Sequence, residues 1–224
     1  MNADQFECWD LARWNAATAR TFDDVTVEAP PTGFHARLAC RRWEGVQLAK
    51  IEAPGARIRG GRRPARPAWH LLYNESGRCA LRQCGRQVEL AGGELSLVKA
   101  DQPFELEFEQ RHRMTVLTLP ADRTTVALNG HWAARHGAGE SILVAALLAG
   151  LLNVAEEQAA RVSGAELQDA ALNLLQRMPP PCGDRRAVHV ARLRALVEHE
   201  AARPDLDAAL MARELGASVR YVQG

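Results

Sequence analysis

GRQVELAGGELSLVKADQPFELEFE, residues 85–109, is the stretch on which the fold turns. Its apolar runs at 86–90, 94–99 and 103–109 are short and cut apart by turn residues, the pattern of β-strands. Gly92-Gly93 supplies the positive φ that a tight connection between strands requires. The same punctuation continues in both directions. Strands are predicted at 37–43, 46–53, 69–74, 78–83 and 113–119, with Glu44-Gly45, Ser76-Gly77 and Cys84-Gly85 as further turns. Eight short strands at regular spacing imply a sandwich or barrel over roughly residues 36–119.

The flanks read as helices. Residues 4–19 fit a short amphipathic helix with Phe6, Trp9, Ala12 and Arg13 on one face, before the break at Pro30-Pro31. After Pro120 the period changes. Ile142, Leu143, Ala146, Leu147, Gly150 and Leu151 predict a helix over 140–159 that Ser141 can cap. Leu167, Ala171, Leu174 and Leu175 predict a second over 164–177. Their apolar stripes are too rich to stand in water, so they pack on the β-domain or pair two chains. Pro179-Pro180-Pro181-Cys182-Gly183 reads as a linker, and helical pieces follow at 186–202, 207–215 and from Val219.

Composition narrows the function classes. The 28 Lys+Arg and 27 Asp+Glu nearly cancel, so any nucleic-acid contact has to come from a local patch. Five scattered cysteines with no C-x-x-C pair argue against a disulfide framework and a zinc ribbon. MNADQFECWD has neither a charged n-region nor an apolar h-region, and the longest apolar run, Ile142 to Leu152, is well below the ~20 residues of a membrane span. The expectation is a reduced, cytoplasmic protein with no membrane partner. No G-x-S-x-G, P-loop or G-x-G-x-x-G occurs, and the seven histidines (35, 70, 112, 131, 136, 189, 199) contain no His-x-His. An enzyme is therefore not expected, and neither is a cofactor or metal. Two alternatives stay open: a metal-dependent cupin-type enzyme, and a thiol-based redox sensor using Cys79 and Cys84.

Within MARELGASVRYV, residues 211–222, Ala212, Gly216, Ser218 and Val222 fill the roles of a helix-turn-helix. These are a small residue where the helices cross, a turn glycine, an N-cap and an apolar anchor. An ordinary helical hairpin has the same spacing.

The order of segments resembles the AraC/XylS family of transcription regulators, on residues 85–109, on Leu119-Pro120 followed by a helix, and on LDAALMARELGASVRYVQ (206–223). Gly92 stands where that family often has Pro. The resemblance implies an α+β chain in five parts: an N-terminal helix and arm (1–35), a cupin-like effector-binding β-barrel (36–130), a helical dimerisation segment (131–178), a linker (179–185) and a partial, truncated first helix-turn-helix (186–224). It implies a small-molecule effector, a homodimer, and DNA as partner of the parent protein, with weak or no DNA binding by residues 1–224 alone. By position Arg220 and Gln223 match base-facing residues, suited to guanine and adenine, and Ser218 a phosphate contact.

The effector pocket is expected among Trp43, Lys50, Trp69, His70, Tyr73 and Arg82. Alternation puts Trp69, Leu71 and Tyr73 on one face and His70 and Leu72 on the other, without saying which points inward. Each aromatic also suits plain core packing. An aromatic wall with Lys50 or an Arg would accept a small aromatic or carboxylic acid. Residues 57–66, with five Arg and no acid, suit an anion, DNA, or simply water.

Overall fold

A computed structural model describes residues 4–30, 32–43, 45–61, 67–121, 142–158 and 161–177. In chain order the elements are β1 (Asp4–Cys8), α1 (Leu11–Phe22), β2 (Thr26–Glu28), β3 (Ala36–Trp43), β4 (Val46–Ala53), β5 (Ala56–Gly60) and β6 (Ala68–Ser76). They continue with β7 (Cys79–Gln83), β8 (Arg86–Leu90), β9 (Glu94–Lys99), β10 (Phe104–Phe108), β11 (His112–Pro120), α2 (Ile142–Glu157) and α3 (Gly164–Gln176). The chain divides into two compact units, residues 1–179 and 180–224, and every described residue lies in the first. The expected linker, the helix-turn-helix, and with it Ser218, Arg220 and Gln223, lie outside the described residues, as does Ser141.

All eight strands read from the sequence form. Their turns adopt the expected backbone, with Gly45, Gly77, Gly85 and Gly93 all at positive φ. Cys84 (φ 48°) and Gly85 (φ 75°) together make the two-residue turn whose twist suits a β7–β8 hairpin. Three strands were not legible: β1, β2 and β5. The expected helix over 4–19 is corrected accordingly. Residues 4–8 are a strand paired with β3, Phe6 opposite Leu38, and the helix starts only after Asp10, whose carboxylate accepts the Arg13 N–H at 2.8 Å. Trp9, expected on the same helical face as Phe6, is instead 67% exposed and stacks on His35.

The strands form a six-stranded sheet, β1-β3-β4-β11-β6-β9, and a five-stranded sheet, β2-β5-β10-β7-β8, with antiparallel neighbours throughout. The expected barrel is therefore an open two-layer sandwich, because no ladder joins the edges of one described sheet to the other. The chain crosses between layers at Pro54-Gly55 and at Asp101-Gln102-Pro103, where prolines without an N–H suit the end of a ladder. Gly55 is needed at its corner: a Cβ there would lie 2.7 Å from the Glu109 carbonyl oxygen.

The larger sheet is buried on both faces. One face joins the smaller sheet around Leu38, Ile51, Leu72, Val98, Leu106 and Val116. The other packs Leu48, Leu71, Leu95, Leu97 and Leu117 against Leu148 and Leu152 of α2 and Leu167, Ala171 and Leu175 of α3. Burial on both faces is why β9 is buried at five successive positions, Glu94 to Val98, without alternation. The α3 stripe is the predicted one, with Leu174 only partly buried. On α2 the buried stripe is rotated: Leu148, Leu152 and Ala155 point inward, while Ala146, Leu147 and Gly150 are exposed. In ILVAALLAGLLNVA nearly every position is apolar, so periodicity does not select a face. Ser163 caps α3 through a reciprocal pair with Glu166.

Candidate functional site: the interior of the sandwich

The interior of the sandwich is the enclosed space that side chains from both sheets and α1 share. Trp14, Thr18 and Phe22, four residues apart on α1, cover it from one side. His70, Leu72, Val98 and Val116 line it from the larger sheet, Ile58, Phe104 and Leu106 from the smaller. The remaining void is about 50 Å³ and almost wholly apolar.

The six expected pocket residues do not come together. Alternation along β6 resolves the face the sequence left open: His70 and Leu72 point into the interior, Trp69, Leu71 and Tyr73 towards the helices. Trp69 is buried in the helix-side core with the Lys99 ammonium 5.4 Å from its ring, and Trp43 and Tyr73 pack at the margin of that core. Lys50 reaches Glu156 of α2 at 3.0 Å and Glu75 at 3.8 Å, tying the sheet to the helix. Arg82 lies on the outer face of the smaller sheet, 2.8 Å from Glu105 and 3.0 Å from Glu107. His70 alone of the six lines the interior. The residues missed were Trp14, Phe22 and Phe104, and the Trp14/Thr18/Phe22 spacing was the signal available for two of them.

That outer face also places the first arginines of 57–66. Arg57 pairs with Glu107 at 2.7 Å, and Arg59 pairs with Glu105 at 2.9 Å and with Glu28. Hydrogen bonds from Arg59 and Arg82 hold the Glu105 carboxyl below its usual range, and those from Arg57 and Arg82 do the same for Glu107. These two arginines are thus already matched by carboxylates. Arg62, Arg63 and Arg66 lie outside the described residues.

Both interior histidines are kept neutral by burial. Desolvation pushes His70 down to about 4, with no charged partner to oppose it. His112, stacked on Phe108 with centroids 3.6 Å apart, is pushed to about 4 chiefly by burial and a little by Arg111, against the Gln110 and Pro54 backbone. His70 Nδ1 meets the Thr118 hydroxyl at 2.9 Å, and its Nε2 is buried without a partner.

A pH dependence follows. Once unfolded, both rings take a proton near pH 6.5, so the unfolded state binds more protons between about pH 4 and 6.5. Stability is complete above that window and falls as pH drops through it, by up to about 3 kcal/mol per ring. Urea midpoints at pH 7.5 and pH 5 check this: wild type should lose stability before its carboxylates titrate, and His70→Gln should lose less. Equal midpoints in wild type would contradict neutral burial.

Among the described residues no group of three or more His, Cys, Asp or Glu is placed to hold a metal. Burial raises the Cys79 thiol to about 12, opposite to what a reactive thiol needs. Cys79 starts β7 and Cys84 follows its end, about five residues of extended chain apart, roughly 16 Å, whereas a disulfide requires about 7 Å or less between Cα atoms. Among the described residues no helix is long and apolar enough to cross a membrane.

Two antiparallel layers around a small apolar interior define a cupin-like domain. The chain belongs to the AraC-binding-like domain family, whose sequence model matches residues 14–220. Membership of the AraC-type regulators, expected from the sequence, thus holds for the sensor region. No curated protein matches the chain. Among solved structures it is similar to the AraC-like transcriptional activator CuxR, at 18% identity and a TM-score of 0.63, over 97% of this chain and 86% of that one. It is also similar, far more loosely, to the Cupin_2 domain of an XRE family transcriptional regulator from Enterobacter cloacae. That match has 14% identity and a TM-score of 0.33, over 38% of this chain and 95% of that one. At these identities the likeness is one of fold.

Proposed function

We propose that this chain senses a small-molecule effector and pairs two copies of itself within a cytoplasmic, DNA-binding transcription regulator. The observation that carries the reading is the larger sheet buried on both faces. Residues 70 and 72 of β6 face the interior, while residues 69, 71 and 73 face the helices. A ligand seated against His70 and Leu72 presses on the strand that carries α2 and α3, and packed cores answer such pressure by discrete repacking rather than smooth deformation. Lys50 adds a polar link from β4 to Glu156 of α2. Family membership and the likeness to a transcriptional activator support the same reading. Among the described residues the polar groups of the interior lining are neutral imidazoles and a hydroxyl, groups able to hold a ligand by hydrogen bonds.

Pairing would use α2, whose Leu147 and Val154, seven residues apart, are each 52% exposed on one helix flank. In a DNA-bound regulator Arg220 and Gln223 would contact guanine and adenine edges, and Ser218 a phosphate.

Native mass spectrometry of the chain equilibrated with a deproteinised small-molecule extract tests both halves at once. The expected spectrum is a dimer carrying one small molecule per chain. Val98→Phe, which fills the interior, should lose the adduct. Leu147→Glu with Val154→Glu should give monomers. An adduct unaffected by Val98→Phe would remove the interior from the reading, and wild-type monomers would remove the pairing.

A further inference from the structure

We infer that the sandwich interior takes an uncharged aromatic ligand bearing a single hydroxyl, a small phenol, with the hydroxyl held by His70 Nε2 and the ring among Trp14, Phe22 and Phe104. The inference rests on the reading of the interior as the effector site and says what chemistry that site accepts.

The charge follows from the absence of a cation among the described lining residues. The two cations expected to meet a carboxylate are elsewhere, Lys50 beside Glu156 and Arg82 between Glu105 and Glu107. An unpaired carboxylate brought into this apolar space would lose its hydration with nothing to replace it. Protonating His70 to serve as the counter-ion is also costly, since burial already holds the ring neutral.

The hydroxyl follows from the orphaned nitrogen. His70 is buried, its Nδ1 is occupied by Thr118, and Nε2 has no partner. His112 Nδ1 is also buried without a partner, but its ring is stacked on Phe108 at 3.6 Å and has the Gln110 and Pro54 backbone beside it, which makes it the weaker anchor. A buried nitrogen left unpaired costs about 1–3 kcal/mol, which a ligand group can recover. Thr118 either donates to Nδ1, leaving Nε2–H as a donor, or accepts from Nδ1–H, leaving Nε2 as an acceptor. A hydroxyl donates and accepts, so it satisfies both tautomers, whereas a ketone or ether satisfies only one.

The ring follows from the walls. Phe22 and Phe104 present themselves nearly perpendicular to His70, at 87° and 78° with centroids 5.9 and 6.3 Å away. Edge-to-face contact is a favoured aromatic geometry. The present void of about 50 Å³ is smaller than the ~150 Å³ apolar cavity that holds benzene, so α1 has to yield. Trp14, Thr18 and Phe22 sit on that one helix and can retreat together without breaking a sheet ladder.

Titrating the whole chain with p-cresol, toluene and 4-methylbenzoate at pH 7.5 tests this, with methyl NMR to locate binding and ring ¹⁵N shifts to read His70. The expected result is saturable movement of the Leu72, Val98 and Val116 methyls with p-cresol, about five- to tenfold weaker binding of toluene, and none of 4-methylbenzoate. His70 Nε2 should shift with p-cresol and not with toluene, a readout that needs no variant. His70→Leu should bind toluene and p-cresol equally. Interior binding of 4-methylbenzoate, or equal wild-type affinities for p-cresol and toluene, overturns the phenol while leaving the interior as the sensing site. If none of the three moves those methyls the phenol is also overturned, and the sensing site then stands or falls on the Val98→Phe mass spectrum.

Discussion

Trp14→Ala is expected to lower the unfolding free energy by about 3–5 kcal/mol, the range for truncating a large buried aromatic. Trp14 is 2% exposed and is the anchor of α1. Its ring stacks against Phe6 of β1 at 6.4 Å and tilts against Phe34 at 6.1 Å, joining strand, helix and the loop before β3. Leu11 and Phe22 pack on the same core with smaller faces. Asn15 clasps the Val27 backbone with bonds of 2.8 and 2.6 Å, and Gln47 donates to the Thr21 carbonyl at 2.9 Å. Those polar links survive the substitution, so the helix should stay in place over an enlarged void. Urea denaturation followed by far-UV circular dichroism reads the loss of stability, and toluene should recover part of it by filling the space. A loss under about 1 kcal/mol would mean that α1 is not packed on the sandwich.

That anchor also shows where sequence reading reached its limit. Eight of the strands between 36 and 120 were legible because turn glycines and short apolar runs are local signals, and each of the four expected turns does hold a glycine at positive φ. β1, β2 and β5 were not, because DQFEC, TVE and ARIRG are brief and owe their form to neighbours distant in sequence. Tertiary pairing overrides weak local preference in such segments. At the site, alternation correctly separated His70 and Leu72 from Trp69 and Tyr73, but choosing the inward face requires knowing that the sheet has a second, helix-covered core. Aromatic content favoured Trp43, Trp69 and Tyr73, and those residues serve that second core instead. Lys50 and Arg82 looked like anion ligands because their carboxylate partners lie 106, 25 and 23 residues away along the chain.

The alternation on β6 gives the sharpest test, because consecutive residues should fail in different places. Leu71→Ala and Leu72→Ala are each expected to cost about 2–5 kcal/mol. Leu71 is fully buried beneath α2 and α3 in the tighter of the two environments, so its cost should lie towards the upper end. Leu72 already borders a void, has fewer contacts to lose, and should cost less. Hydrogen exchange separates the two better than total stability does. Leu71→Ala should speed exchange in α2 and α3 while α1 keeps its protection. Leu72→Ala should leave α2 and α3 protected, loosen α1, and widen the space open to p-cresol. If both variants changed exchange in the same elements, the larger sheet would not divide two cores. The route by which an interior ligand reaches the helices would then have to avoid β6. If the patterns differ as expected, the shortest path from effector to helix is a single peptide bond, between a residue that touches the ligand and one that carries α2 and α3.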